Sequence, residues 1–245
     1  MNKFLLFLNV IALVLPFAAF AQQAVEKDVF KTSAGDLEIV FLGHGTLMFT
    51  FGGKVIHLDP VSQYADYSKL PKADVILITH EHRDHLDPKA IDPILTEKTR
   101  VIVAEPCGDA VKGSSVIKSG ELQVIDDVTI EAVPAYNLVH MGKEGIPFHP
   151  KGSGNGYVLT FADKRVYVAG DTENIPEMKN LKAIDIAFLP MNPPFTMTPE
   201  MVADAAKAFK PKVLYPYHYG ETDTSKLLDL MKNVQGVEVR IRKMK

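Results

Sequence analysis

The segment Asp74–Leu86, DVILITHEHRDHL, decides how the rest of the chain is read. Its first half, Asp74–Thr79, is aliphatic without alternation, the pattern of a strand covered on both faces. Its second half is dense in chelating groups: His80, His82, Asp84 and His85 fall within six residues. In an extended chain positions 80, 82 and 84 point the same way, and a turn before Asp87 lets His85 join them. Imidazole and carboxylate suit divalent zinc, and also iron or manganese. In a packing role, four polar side chains would each need a partner. Asp87-Pro88 then supplies an N-cap and a first-turn proline, and Ile91, Ile94 and Leu95 follow at helical spacing.

Working outward, the segments before this one read as strands: Leu37–Leu42, Leu47–Phe51 and Lys54–Leu58, the last two joined by a Gly52-Gly53 hairpin turn. After it, Arg100–Ala104, Val128–Pro134, Tyr157–Phe161, Arg165–Ala169 and Asp185–Leu189 read as further strands. Thr198-Pro199-Glu200 opens a helix with Val202, Ala205, Ala206 and Phe209 on one face. Val213–Tyr215 is a strand, Thr224–Asn233 a helix and Val237–Ile241 a closing strand. Early hairpins and strand–helix alternation in both halves predict mixed sheets covered by helices. No internal repeat is visible in the sequence.

Two isolated residues stand in places equivalent to the histidine cluster. Strand Arg165–Ala169 runs into Gly170-Asp171-Thr172, and strand Val213–Tyr215 runs into Pro216-Tyr217-His218. Asp171 and His218 thus lie just past strand C-terminal ends, where strand–helix architectures place their sites. Alone, either would read as an ordinary turn or half-buried residue; the cluster makes them ligand candidates.

H-x-H-x-D-H after a buried strand, then G-D-T, then a late histidine, resembles the metallo-β-lactamase superfamily. Leu42-Gly43-His44-Gly45 with Leu58-Asp59-Pro60 resembles its branch of small lactonase-like and phospholipase-D-like hydrolases. The resemblance implies a four-layer αβ/βα sandwich: two mixed β-sheets face to face, with helices on the outer faces. It implies two divalent metal ions, most often Zn2+, with Mn2+ or Fe as alternatives. Carried over by position, His80 and His82 hold the first metal, Asp84, His85 and His218 the second, and Asp171 bridges them.

One position departs from the branch, which usually carries a third first-metal histidine in the loop after a strand such as Val128–Pro134. Here Asn137 stands at that place, with His140 and His149 downstream. His149 is favoured, because prolines flank its loop and imidazole is a better zinc donor than a carboxamide. His44, between two glycines, is read either as a site-wall residue touching water or substrate, or as a structural histidine. Asp59 could accept the free ring N–H of a ligand histidine, or cap a turn; His57 alternates with apolar residues and is left out. Phe148, Tyr136, Tyr219 and the run Met191–Phe195 are candidate walls for a substrate with an apolar part.

The resemblance therefore implies a metal-dependent hydrolase that uses a metal-bound hydroxide on a small ester, lactone or phosphodiester, with Asp84 relaying a proton. Two other classes compete: a non-catalytic metal or ligand binder, and a di-iron oxidoreductase. As we read it, the di-iron relatives carry glutamate where this chain has His82. No G-x-S-x-G motif offers a serine nucleophile.

Composition agrees. The chain has 245 residues, 47% of them hydrophobic, enough for a sizeable core and too many for a mainly disordered protein. The formal charge of −3 gives nucleic acid no electrostatic purchase, so the expected partner is a small-molecule substrate. A single cysteine, Cys107, excludes an internal disulfide and any cysteine-rich zinc module. Residues 1–21, MNKFLLFLNVIALVLPFAAFA, read as a signal peptide ending in an A-x-A site, leaving a domain over 22–245. The apolar run is broken by Asn9 and Pro16, so cleavage is expected rather than a stable membrane anchor. The product is expected to be exported, periplasmic or secreted.

Overall fold

The computed structural model describes residues 25–245; the expected signal peptide lies outside them. Fourteen strands form two sheets of seven among the described residues. The first holds β1 (Glu26–Thr32), β2 (Gly35–Gly43), β3 (Thr46–Phe51), β4 (Lys54–Leu58), β5 (Val75–Ile78), β6 (Arg100–Val103) and β7 (Ser115–Val116), side by side in chain order. The second holds β8 (Leu122–Ile125), β9 (Val128–Pro134), β10 (Asn155–Phe161), β11 (Lys164–Val168), β12 (Ile186–Pro190), β13 (Val213–Tyr217) and β14 (Glu238–Val239), again in chain order. Each sheet is an antiparallel meander of four strands followed by three parallel ones. The topology therefore repeats although the sequence does not.

The expected αβ/βα sandwich is what forms. Alternate residues of each sheet meet in one core, where Leu37, Ile39, Phe41, Leu47 and Phe49 face Ile130, Leu159, Phe161 and Phe188. Aromatic rings stitch the layers: Phe49 stacks on Phe161 at 5.8 Å and Phe41 leans on Tyr215 at 5.1 Å. β5 is buried on both faces, as its unbroken aliphatic run predicts. Val75 and Leu77 join the inter-sheet core, while Ile76 and Ile78 pack outward under Ala90, Ile91 and Ile94. Cys107 is buried in that outer cluster.

Helices are few. α1 (Pro88–Ile91) is capped by Asp87 as expected but lasts one turn, then tightens into a 3₁₀ turn at Asp92–Ile94 that contains Pro93. α2 (Pro199–Phe209) is capped by the Thr198 hydroxyl and turns Phe209 onto the Tyr167 ring. α3 (Thr224–Met231) is capped by Asp223. Three strands lie outside the sequence expectations, β1, β7 and β8, and the closing strand shrinks to Glu238–Val239. No helix of the described residues is long and apolar enough to cross a membrane.

The two halves are sewn together at one end. Asn155 N–H donates to the Thr79 carbonyl at 2.9 Å, the Tyr157 hydroxyl to the Ile78 carbonyl at 2.7 Å, and His218 N–H to the His44 carbonyl at 3.0 Å. These cross-links fix the end of β5 against the second sheet, and the polar cluster sits there.

Candidate metal centre

His80 leaves β5 and bridges to Gly154, after which the chain turns rather than continuing extended. The N–H groups of His85 and Leu86 both reach the His82 carbonyl, at 3.0 and 2.9 Å. The expectation that positions 80, 82 and 84 share a face by strand alternation is thus corrected: a tight turn gathers them. From the second sheet come Asp171 in the loop after β11, His218 just past β13, and His149 in the loop before β10.

Three sets of ligand atoms lie within 4.8 Å of one another: His80, His82 and His149; His44, Asp84, His85 and His218; and His80, His85 and Asp171. Asp171 joins the groups. Its Oδ2 is 3.3 Å from His149 Nε2, 3.3 Å from His218 Nε2 and 3.9 Å from His80 Nε2, and its Oδ1 is 3.4 Å from His85 Nε2. Donors held 2.0–2.1 Å from a tetrahedral zinc stand roughly 3.3–3.4 Å apart, so this spacing suits a cation. The donor inventory agrees. His80 Nε2, His85 Nε2, His218 Nε2 and Asp171 Oδ1 are buried without any hydrogen-bond partner. Buried polar atoms are seldom left so, and a cation would satisfy them together.

The charges respond to this crowding. Burial works to raise the Asp171 carboxyl, but His218, His85, His80 and His149 hold it well below the usual carboxylate range. Burial keeps His80 well below the ordinary imidazole value, with His85 adding to the effect. Burial opposes the charged form of His85 as well, yet Asp171, Asp59 and Asp84 push it up to about 9.

The outer ring atoms are also held. His85 Nδ1 meets the fully buried Asp59 carboxylate at 2.7 Å, so the partner that Asp59 was read as able to accept from is His85. Asp59 also accepts the Thr79 N–H at 2.8 Å and its hydroxyl at 2.6 Å. His149 Nδ1 meets Asn137 Oδ1 at 2.8 Å. Asn137 turns its carboxamide to Glu173, the Phe195 carbonyl and His149 Nδ1, and His140 turns away, its Nδ1 2.7 Å from Glu173. His44 Nε2 is 3.1 Å from Asp84 Oδ2, and its ring stacks on Tyr64. His44, Asp59 and His218 all adopt positive φ, at 52, 46 and 47°. Such backbone costs about 1–3 kcal/mol per non-glycine residue and collects at functional sites. Gly45 has no room for a side chain: a Cβ there would stand 2.7 Å from the His85 ring.

Above the cluster opens a cleft of about 320 Å³, lined by His44, His82, Asp84, Phe148, His149, Asp171, Asn192, Phe195 and His218. Phe148 and Phe195 meet edge to face at 5.1 Å. Of the other expected walls, Tyr136 and Tyr219 do not line it: their hydroxyls reach Glu177 and the Arg242 carbonyl. Sequence reading missed Tyr64 and Glu173. Glu173 directly follows G-D-T, but only folding shows that it is buried.

Comparison with known proteins gives a consistent result. The family model for the β-lactamase superfamily domain matches residues 38–218. A UPF0173 metal-dependent hydrolase from Natranaerobius thermophilus is 32% identical over 193 residues, 75% of this chain and 83% of that protein. One from Pelotomaculum thermopropionicum is 28% identical over 222 residues, 84% of this chain and 96% of that protein. A crystal structure from Parabacteroides distasonis, provisionally assigned as a metal-dependent hydrolase, is 51% identical with a TM-score of 0.86, covering 91% of this chain and 100% of that one. Igni18, a metallo hydrolase from Ignicoccus hospitalis, shares the fold at 24% identity with a TM-score of 0.69, covering 84% of this chain and 95% of that one.

Proposed function

The chain belongs to the β-lactamase superfamily, and on that premise we propose that it is a metal-dependent hydrolase of a small ester, lactone or phosphodiester. The observation that carries this is the convergence of four imidazoles on Asp171, with unpartnered buried nitrogens, at the floor of an open cleft. His80, His82 and His149 would hold one divalent ion and Asp84, His85 and His218 a second, with Asp171 between them. Bound there, such ions polarise the scissile carbonyl or phosphoryl oxygen and bring the pKa of a coordinated water towards ~7. Zinc is the favoured metal, since imidazole dominates the donor set.

The remaining work falls to side chains. Asp84 is half exposed to the cleft, and its Oδ2 lies between His44 Nε2 at 3.1 Å and His218 Nε2 at 3.6 Å. This Asp84–His44 pair is placed to hand a proton to a leaving oxygen. Phe148 and Phe195 exclude water from one wall and favour a substrate with an apolar part. Export, suggested by the 1–21 leader pattern, would place this activity outside the cytoplasm.

The test is metal analysis beside a panel of esters, lactones and phosphodiesters. Between one and two divalent ions per chain, with turnover abolished by a chelator, is the expected result. Full hydrolysis by metal-free protein would overturn the reading, and bound metal without turnover on any of the three classes would leave a binder instead.

A further inference from the structure

Glu173 is fully buried, yet its carboxylate is the best-satisfied acceptor near the site. It takes the backbone N–H groups of Leu138, Val139 and His140, each at 2.7 Å, and so clamps the loop after β9. It also takes one amide hydrogen of Asn137, at 3.2 Å. The other Asn137 hydrogen goes to the Phe195 carbonyl, at 2.9 Å. A carboxylate and a carbonyl can only accept. The Asn137 carboxamide therefore has one permitted orientation, with NH2 towards Glu173 and Phe195 and its oxygen towards His149. That oxygen is 2.8 Å from His149 Nδ1 and must itself accept, so Nδ1 carries the proton. The lone pair is left on Nε2, which stands 3.3 Å from Asp171 Oδ2 and 3.3 Å from His82 Nδ1.

The geometry points to Asn137 as a positioning residue: Glu173 and the Phe195 backbone lock its carboxamide so that it holds His149 in the Nδ1–H tautomer, with Nε2 presented to the Asp171 side of the cluster. Which nitrogen of a histidine can ligate is set by the bond the other makes. Asn137 does this without touching the reacting groups. The same amide fixes the backbone of Phe195, an aromatic wall of the cleft, so ligand orientation and wall position depend on one side chain. The consequence for metal affinity rests on the hydrolase reading above; the tautomer does not.

The tautomer can be read directly. The full chain, labelled with 15N-histidine and stripped of metal, gives long-range 1H–15N patterns that distinguish Nδ1–H from Nε2–H rings. At about pH 8, above the ordinary imidazole pKa, His149 is identified by the signal lost in His149→Gln. The wild type is expected to show Nδ1–H. Asn137→Leu removes the acceptor and should shift His149 towards Nε2–H. Asn137→Asp should keep Nδ1–H, since a protonated carboxyl can place its O–H on Glu173 and its carbonyl on His149. Zinc titration should then show roughly 10–100-fold weaker binding at one site in the leucine variant and near-normal binding in the aspartate variant. A wild-type His149 protonated on Nε2 overturns the assignment, as does a leucine variant with an unchanged pattern. If the leucine variant does not fold, the wild-type and aspartate spectra decide alone. A tautomer shift in a chain that takes up no zinc sustains the role of Asn137 and overturns the metal reading.

Discussion

His57 and His85 stand on the same half of the molecule, both fully inaccessible to solvent, and are driven in opposite directions. His57 lies on β4 under the Tyr67 ring, with the Pro71 carbonyl at 3.1 Å as its one polar contact and Nδ1 without a partner. Burial wins there, and its pKa falls to about 4. His85 is buried as deeply, but three carboxylates surround it, and its pKa rises to about 9. The comparison shows that depth alone does not set the charge of a histidine; what faces each ring nitrogen does. His57 has a neutral acceptor and no anion, the environment of a packed residue. His85 has a carboxylate outside, at Asp59, and carboxylates inside, at Asp171 and Asp84, the environment of a group built to face a cation. His149 lies between, with a neutral carboxamide outside and Asp171 inside.

The largest expected effect removes the inner partner that His85 and His149 share. Asp171→Ala should cost more than the 10–100-fold in affinity expected for loss of an outer partner. Bound metal measured by elemental analysis should fall to near zero, and hydrolysis with it. A variant that keeps its full metal content would mean that the imidazoles do not depend on Asp171, and the comparison with His57 would lose its basis.

The next effect belongs to His57 and is confined to acid. Its folded pKa of about 4 lies below the unfolded value of 6.5. Above pH 6.5 both states are neutral and pH changes nothing through this group. As pH falls from 6.5 to 4 the unfolded chain takes up the proton and the folded chain does not, so stability is lost across that window, by about 3 kcal/mol in all. His57→Gln can keep a donor for Pro71 without the titration. Urea unfolding at pH 7 and at pH 4 should show the variant losing about 3 kcal/mol less than the wild type. Parallel losses would show that His57 is not held neutral.

Asp59→Asn makes the outer partners of His85 and His149 alike. The amide would set a donor against a Thr79 donor, since Asp59 accepts both the Thr79 N–H and hydroxyl. A loss of about 1–3 kcal/mol in unfolding free energy is expected for the displaced buried bond. Zinc affinity at the His85 group should fall by roughly 10–100-fold. An unchanged zinc titration would mean that the charge on Asp59 does not support its ligand.

Much of this was legible in the sequence, for reasons particular to each residue. The β5 strand and its histidine turn are contiguous, so composition alone marks them. Asp171 and His218 could be placed because each follows a readable strand. His149 could be offered only as a choice against Asn137 and His140, since tertiary contacts through Glu173 separate the three. Glu173 itself carries no local signal: three backbone amides from a loop more than thirty residues away satisfy it. β1 and β8 were missed because edge strands bury one face at most, and EKDVFKT and LQVI expose nearly every second residue. The extended reading of positions 80–84 failed because backbone bonds back to His82 start the turn expected before Asp87 earlier in the segment.

The smallest effect sharpens the comparison most, because Thr79 serves two of the proposed ligands at once. Its hydroxyl is 2.6 Å from Asp59 Oδ2 and 3.0 Å from His80 Nδ1. The carboxylate can only accept, so the single hydroxyl hydrogen is committed to Asp59, and the oxygen lone pair faces His80. His80 Nδ1 must then be the donor, which leaves its Nε2 free on the side of Asp171. Thr79→Val keeps the shape and deletes the hydroxyl. Asp59 loses one of three donors but retains His85 directly, whereas His80 loses its only outer partner. Unfolding free energy should fall by about 2 kcal/mol, from two buried hydrogen bonds at the usual value for each. Zinc binding at the His80, His82 and His149 group should weaken more than at the His85 group, and Thr79→Ser should restore both. Weakening at the His85 group alone would show that the hydroxyl acts only through Asp59, and that His80, unlike His85, needs no outer partner to face the metal.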